Sequence, residues 1–134
     1  GPKMVEVGGR LGGDCITSYL LQTSVKGINL IENVIKIALG EEVAVSFYKN
    51  SGIASAVRFI PALKGTIQSI SGVEKAWKIN GIVSIYILGE VGIEYDNAVD
   101  DSARFGYVVA EGETAEEALD ICQKAINMIK IEVA

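Results

Sequence analysis

The chain has 134 residues, of which 49% are apolar, and carries a formal net charge of −5 from 17 acidic and 12 basic residues. This length and composition fit one folded domain with its own core and argue against a disordered chain. The acidic balance argues against a general binder of nucleic acid, because the sequence supplies no broad basic face.

The first predicted elements are a strand, a loop and a short helix. Residues 3–7 predict a strand, since polar and apolar side chains alternate and Glu6 faces away from its apolar neighbours. The glycine-rich residues 8–14 predict a loop, because glycine adopts backbone angles that are closed to other residues. A short helix is predicted over residues 16–23.

A longer amphipathic helix is predicted next. Ile28, Ile31, Ile35 and Ala38 recur at helical spacing, which places them on one stripe. Gly40 suits the position just past the end of that helix.

From residue 43 onward the pattern changes to short β-rich runs. Pro61 is predicted to end the second of these strands. The continuous apolar run at 81–88 is typical of a strand that is buried on both faces. One or two helical turns are predicted over residues 72–79. The predicted strands are residues 43–48, 53–60, 64–70, 81–88, 91–95 and 104–110.

The chain closes with a predicted helix and a short strand over residues 131–133. Thr114 and Glu117 form the S/T-x-x-E pattern of a capping box, which marks the first turn of a helix. The apolar stripe predicted for this helix consists of Leu119, Cys122, Ile126 and Ile129.

Together these elements predict an α+β fold with a short mixed or antiparallel sheet and packed helices. The best seam between subdomains lies in residues 40–52, and it divides the chain into a front part, residues 1–42, and a β-rich back part, residues 43–134. Because strand-like residues begin almost at once, we expect the chain to be a piece of a longer protein.

The sequence contains no histidine and only two cysteines, Cys15 and Cys122, neither within a C-x-x-C spacing. A zinc site and the Ser-His and Cys-His catalytic pairs are therefore excluded within this chain. Two isolated cysteines fit a reduced cytoplasmic protein better than a disulfide scaffold. No apolar run approaches the roughly 20 residues of a membrane helix, so we expect no membrane partner.

The opening stretch V-E-V-G-G-R-L-G-G-D-C, residues 5–15, concentrates the groups that suggest chemistry. On a strand, Glu6 and Arg10 share one face with Cα atoms roughly 13 Å apart. A carboxylate suits Mg²⁺, a guanidinium suits phosphate, and the Gly12–Gly13 turn lets backbone N–H groups approach an anion. The stretch is either half of a site for a metal–polyphosphate complex or a surface salt-bridge residue, a solvated arginine and two glycine turns.

The run P-K-M-V-E-V-G-G-R-L-G-G-D resembles the signature at the C-terminal end of the ATP-grasp catalytic core. There a strand carries E-x-N-x-R, or a variant, often followed by a glycine pair. The similarity continues through residues 18–42, 64–72 and 103–133, so it covers nearly the whole chain. These segments look like the closing part of ATP-grasp ligases related to biotin carboxylase, carbamoyl-phosphate synthetase and the amino-acid ligases. The resemblance implies that residues 1–42 end the catalytic core and that residues 43–134 form the C-terminal subdomain.

The resemblance also implies roles for individual residues. Glu6 would be a Mg²⁺ ligand and Arg10 the catalytic contact to phosphate or acyl phosphate. The asparagine of the motif falls at Gly8, so its contact is absent or comes from elsewhere. Gly12–Gly13 and Asp14 would belong to the nucleotide-binding part of the site, with Asp14 facing the acceptor substrate.

The implied activity is that of an ATP-dependent carboxylate–amine ligase, or a related ligase, which acts through an acyl phosphate. Its co-substrate is ATP, its cofactor Mg²⁺, and its partners are a small carboxylate and an amine or other acceptor. The family places its adenine site and phosphate-binding lysines upstream, so we expect this chain alone to be inactive and to bind ATP weakly or not at all. An apolar face left exposed by the missing lobe predicts a possible homo-oligomer.

A rival interpretation comes from another class of protein. The chain would then be a non-catalytic interaction or oligomerisation module in which the ATP-grasp motif is vestigial. For the remaining residues, packing is favoured for both cysteines and a core-capping role for Trp77. Arg58 either lines the substrate side or is a solvated arginine.

Overall fold

The computed structural model describes residues 1–27, 29–43, 49–96 and 103–134. The chain divides into two compact units, Gly1–Gly52 and Ile53–Ala134. The described helices are α1 (Leu21–Ser24), α2 (Leu30–Ala38), α3 (Val73–Ala76) and α4 (Ala115–Met128). The described strands are β1 (Val25–Lys26), β2 (Lys49–Asn50), β3 (Ala54–Pro61), β4 (Gly65–Ser71), β5 (Ile82–Ile87), β6 (Glu94–Tyr95), β7 (Arg104–Gly112) and β8 (Lys130–Val133). All their pairings are antiparallel, and the predicted α+β class is confirmed.

The first unit starts without regular structure. Residues 1–8 form neither strand nor helix and are exposed, so the strand predicted over residues 3–7 was wrong for the described chain. The side-chain alternation is real, but a strand also needs a neighbour to accept and donate its backbone hydrogen bonds. Among the described residues of this unit, only β1 and β2 pair with each other.

The predicted short helix and the longer helix are both confirmed. A π-helical turn, Ile16–Leu20, runs directly into α1. At the start of α2, the side chain of Asn29 accepts a hydrogen bond from the Glu32 N–H at 3.1 Å, which satisfies one amide of the first turn. Gly40 follows the helix with φ of +75°. Ile28, predicted on the same stripe, lies outside the described residues.

The first unit leaves its described apolar side chains exposed or half-buried. Within its described residues, Thr17 alone is buried, and no apolar side chain is. On α2, Ile35 is 55% exposed and Ile37 is 62% exposed, although the helix is strongly amphipathic. Packing of an apolar face supplies most of the stability of a short helix. The described part of this unit therefore lacks a hydrophobic core.

The second unit contains two three-stranded antiparallel sheets. One sheet has the order β3-β7-β5 and the other the order β6-β4-β8. The main core cluster lies where α4 packs on β3 and β7, and it includes Val108, Ala110 and Cys122. A second cluster joins Ile67 to Phe105. Both clusters exclude water from large apolar side chains, which is the dominant stabilising contribution to a fold of this size.

The central strand of the main sheet is β7, and this overturns one prediction. The run at 81–88 was predicted to be buried on both faces, but it forms β5 at the edge of the sheet. Ile85 is buried, whereas Tyr86 is 52% exposed. The consecutive buried residues Val108 and Val109 instead belong to β7. An apolar run does not reveal which strand has neighbours on both sides.

The terminal helix α4 begins as predicted, and its predicted stripe is confirmed in part: Cys122 and Ile129 are buried in the core and Ile126 packs against it. The Thr114 hydroxyl accepts a hydrogen bond from the Glu117 N–H at 3.1 Å. The Glu117 carboxylate in turn accepts one from the Glu113 N–H at 2.7 Å, one residue before the expected partner. Ala118 and Ala125 are fully buried beside Cys122, whereas Leu119 is 37% exposed. The small side chains let the helix approach the sheet closely.

The other predicted elements of the second unit are confirmed with small shifts at their ends. The structure finds strands at the predicted positions 53–60, 64–70, 104–110 and 131–133, and a helical turn within 72–79, whereas only Glu94–Tyr95 of the strand predicted over 91–95 forms. Most of the strand predicted over 43–48 lies outside the described residues. In the parts of the chain that the structure describes, no helix combines the length and apolar character needed to cross a membrane.

Candidate functional site

The Gly12–Gly13 turn is fastened to the helix that follows it. The carbonyl of Gly12 accepts a hydrogen bond from the Thr17 hydroxyl at 2.8 Å. The carbonyl of Gly13 accepts one from the Ile16 N–H at 2.9 Å. In a trans peptide the carbonyl and the next N–H point in opposite directions. The amide N–H groups of Gly13 and Asp14 therefore point away from the helix.

The side chain of Arg10 lies beside this turn. It is exposed, and its Nη1 donates a hydrogen bond to the Leu11 carbonyl at 2.9 Å. A β-carbon added to Gly13 would lie 4.0 Å from Nη1 of Arg10, so the guanidinium and the turn are neighbours. On the other side, a β-carbon added to Gly12 would lie 3.1 Å from the Ile16 side chain. The structure thus brings Arg10, Gly12 and Gly13 together.

Two left-handed residues follow the turn. Asp14 has φ of +50° and Cys15 has φ of +67°, and neither is glycine. A non-glycine residue in this region costs about 1–3 kcal/mol, and such residues cluster at active sites and ligand clamps. Asp14 itself is exposed. The loop that carries the predicted site residues is therefore also the place where the backbone of the first unit is strained.

Glu6 stands apart from this group. It is exposed within the irregular residues 1–8 and makes no hydrogen bond or ion pair with the described residues. The strand face that Glu6 and Arg10 were predicted to share is not formed, so that geometry was wrong, while the role of Glu6 as a Mg²⁺ ligand stays a prediction. Across the same described residues, no group of three or more cysteine and acidic side chains could hold a metal ion. Mg²⁺ takes only one or two protein carboxylates when it binds with phosphate oxygens, so Glu6 fits as a single ligand in a shared site.

The remaining candidate residues fit structural roles. Cys122 is fully buried, and its thiol lies 3.5 Å from the Val108 carbonyl and 3.6 Å from the Ala56 carbonyl, within reach of a weak hydrogen bond to each. Burial raises the pKa of the Cys122 thiol, which keeps it neutral and unreactive. Arg58 is exposed on β3, and Trp77, just after α3, is 46% exposed.

Thr17 is a residue that the sequence reasoning missed. It is only 6% exposed, and its hydroxyl holds the Gly12 carbonyl. Its position five residues after Gly12 is ordinary in sequence, and no motif marks it. A hydroxyl after a glycine pair is a weak signal, which becomes informative only once the backbone path is known.

A second missed feature is an aromatic row across the main sheet. Phe59, Tyr107 and Tyr86 are aligned in register on adjacent strands. The ring centroids are 6.4 Å apart in the first pair and 5.7 Å apart in the second. The guanidinium carbon of Arg104 lies 3.7 Å from the Phe59 centroid, a cation–π contact. The sequence shows these residues but not the strand register that aligns them.

Comparison with known proteins decides the family. The family model of the L-amino acid ligase C-terminal domain 2 matches residues 58–134, more than half of the chain. The chain belongs to this family. The predicted resemblance to the C-terminal part of an ATP-grasp ligase is thereby confirmed.

One curated relative aligns with almost the whole of this chain. It is an uncharacterized protein, y4rH, of Sinorhizobium fredii, which is 32% identical over 129 residues. The alignment covers 96% of this chain but only 26% of that protein. The chain therefore corresponds to about a quarter of the length of the relative.

Two solved structures share the fold. The L-amino acid ligase from Bacillus licheniformis superposes with a TM-score of 0.78 at 21% identity, over 97% of this chain and 32% of that one. Phosphoribosylglycinamide synthetase from Anaerococcus prevotii gives 0.77 at 23% identity, over 94% of this chain and 32% of that one. At these identities the likeness concerns the fold.

Proposed function

We propose that this chain is the C-terminal part of an ATP-dependent ligase that joins a small carboxylate, an L-amino acid first of all, to an amine. The observation that carries the proposal is the exposed Arg10 guanidinium beside a glycine turn whose Gly13 N–H group points away from the helix. Guanidinium forks and convergent backbone amides bind phosphate oxygens. Membership of an amino-acid ligase family supports the choice of carboxylate.

The proposed reaction has two steps. The carboxylate attacks the γ-phosphorus of ATP, and the bond between that phosphorus and the β-phosphate oxygen breaks. ADP departs, and the carboxylate has become an acyl phosphate. The amine then attacks the acyl carbon, loses a proton and releases inorganic phosphate. Arg10 and the turn amides would stabilise negative charge on the transferred phosphoryl group. No covalent side-chain nucleophile is needed, which agrees with a chain that has no histidine.

Magnesium and the acceptor substrate extend the proposal to two carboxylates. Mg²⁺ bound with ATP would neutralise phosphate charge, and Glu6 is the residue of this chain that would hold it. Asp14, exposed and adjacent to the turn, would face the amine of the acceptor. Its carboxylate could attract an ammonium group as the acceptor approaches.

The site would be completed by residues that this chain does not contain. We assign residues 1–42 to the end of the catalytic core and residues 43–134 to the C-terminal subdomain. Adenine and the remaining phosphate contacts would come from a longer protein, since the curated relative is about four times the aligned length. We place that protein in the cytoplasm, where ATP and free amino acids are available.

The test uses the longer protein that contains this segment. Wild-type protein should form ADP from ATP–Mg²⁺ only when an L-amino acid is present, with a ligated product detectable by mass spectrometry. The Arg10→Ala variant should lose about 10²–10³-fold in kcat, the size expected for one donor to a developing anion. Arg10→Lys should recover only part of the loss, because an ammonium lacks the planar fork.

Lys49→Ala is the matched control, since it removes an exposed cation from the same unit. Its kcat should stay within about twofold of wild type, as expected for a surface substitution. Unchanged turnover in Arg10→Ala, or a loss of assembly without a loss of turnover, would favour the rival non-catalytic interaction or oligomerisation module. Light scattering on the same samples reports the assembly state and hence the predicted homo-oligomer.

A further inference from the structure

Thr17 is the buried polar side chain of the first unit, and it points at the candidate site. It is 6% exposed, in a unit whose described apolar side chains are all at least partly exposed. Burying a hydroxyl costs free energy unless it is hydrogen-bonded. The Thr17 hydroxyl satisfies this need with the Gly12 carbonyl at 2.8 Å. Among the described contacts, the buried Thr17 hydroxyl is hydrogen-bonded to the turn, and it therefore holds the turn in place.

The hydrogen bond fixes the direction of one peptide plane. The Gly12 carbonyl and the Gly13 N–H belong to the same planar unit, so holding the first toward the helix holds the second away from it. Glycine on both sides of this peptide bond would otherwise allow the plane to rotate easily. The Ile16 N–H donates a hydrogen bond to the Gly13 carbonyl at 2.9 Å, which holds that carbonyl toward the helix as well. The two outward N–H groups depend on these two contacts.

The backbone directly after the turn is in a strained conformation, so surrounding contacts must hold it in place. Asp14 and Cys15 adopt left-handed angles, which persist only where surrounding contacts impose them. Thr17 is within the π-helical turn that begins directly after them. Its own carbonyl accepts a hydrogen bond from the Gln22 side-chain amide at 3.4 Å. The backbone of Thr17 is therefore held from the helix side as well.

We propose that Thr17 is a positioning residue that aims the Gly13 N–H at the substrate phosphoryl oxygen by holding the Gly12 carbonyl. This inference rests on the proposed function. Thr17 touches no substrate and acts through the turn. Loss of its hydroxyl should weaken stabilisation of the transition state more than binding of the ground state, because a rotating amide is no longer aimed at the developing charge.

The test compares three variants of the longer protein. Thr17→Val removes the hydroxyl at nearly constant volume, Thr17→Ser keeps it, and Thr23→Val removes a half-buried hydroxyl elsewhere in the same helical segment. Thr17→Val should lower kcat at least about tenfold with the KM for ATP changed less than about threefold. Thr17→Ser should stay within about threefold of wild type in kcat, and Thr23→Val should match wild type.

A kcat for Thr17→Val within about twofold of wild type would overturn the proposal, as would equal losses in Thr17→Val and Thr17→Ser. If circular dichroism shows that Thr17→Val does not fold, Thr17→Cys replaces it, because a thiol of similar size is a poor donor. Then Thr17→Ser must retain kcat while Thr17→Cys loses it, and equal values contradict the proposal.

A second readout separates this proposal from the proposed function. If the longer protein makes no product with any pair of L-amino acids, the ligase proposal fails. The positioning of the turn is then judged by titrating inorganic phosphate into the longer protein with isotope-labelled glycine and following the Gly13 amide by NMR. Wild type and Thr17→Ser should show a phosphate-dependent shift that Thr17→Val lacks. Equal shifts in all three, or none in any, would overturn the role of Thr17.

Discussion

The two units of this chain differ in what holds them together. In Ile53–Ala134, Ile67, Val108 and Phe105 are almost completely shielded from water. In Gly1–Gly52, the described residues bury no apolar side chain, and Thr17 is buried for a hydrogen bond. The candidate phosphate-facing group lies in the unit without a described core. Elements that bind ligands are commonly drawn from the least stable parts of a protein.

The largest expected difference appears when the units are separated. Ile53–Ala134 produced alone should fold, because its described core clusters lie within it. Gly1–Gly52 produced alone should not, because nothing in its described part offsets the conformational entropy of ordering the chain. Far-UV circular dichroism and thermal melts would show a cooperative transition for the second unit and none for the first. A cooperative melt of isolated Gly1–Gly52 would contradict the comparison.

The same side-chain truncation should have different consequences in the two units. Ile67→Ala, at a fully buried position, should destabilise the second unit by about 2–5 kcal/mol. Ile35→Ala, at a residue that is 55% exposed on α2, should cost less than about 0.5 kcal/mol in the 134-residue chain. Urea unfolding followed by circular dichroism measures both. Equal costs would mean that α2 has a packing partner within this chain.

We expect the smallest difference in unfolding free energy between the two units for substitutions at their helix caps. Thr114 and Asn29 cap α4 and α2 with hydrogen bonds of the same length, 3.1 Å. Thr114→Ala should lower the free energy of unfolding by about 1 kcal/mol, because α4 is part of a cooperative core. Asn29→Ala should leave the main unfolding transition unchanged and reduce only the helical circular dichroism signal. A shift of that transition in Asn29→Ala would show that α2 unfolds together with the second unit.

Local signals in the sequence predicted much of this structure. The Thr114 cap and the strands predicted over 53–60, 64–70 and 104–110 were correct because caps and strand-forming residues are local signals, whereas the alternation at 3–7 found no pairing strand. The inward face of α4 was predicted in part, since Cys122 and Ile129 are buried; Ala118 faces inward in place of Leu119 because the contact with the sheet selects the smaller side chain. The edge position of β5 was missed because strand order is not encoded in one strand.

For the candidate site as well, the sequence predicted the local features and missed those that depend on the folded backbone. The proximity of Arg10 to the Gly12–Gly13 turn follows from a short loop, so adjacency in sequence predicted it. Thr17 could not be found, because its role depends on the direction of one carbonyl. The strand face predicted for Glu6 and Arg10 was wrong, because alternation in the sequence does not supply the neighbouring strand that residues 1–8 would need.

The central claim is that the first unit supplies a phosphate-facing group but not a complete nucleotide site. Calorimetric titration of ATP–Mg²⁺ into the 134-residue chain and into the longer protein tests it most directly. We expect micromolar binding by the longer protein and no measurable heat with the 134-residue chain. Micromolar binding by the 134-residue chain alone would contradict it.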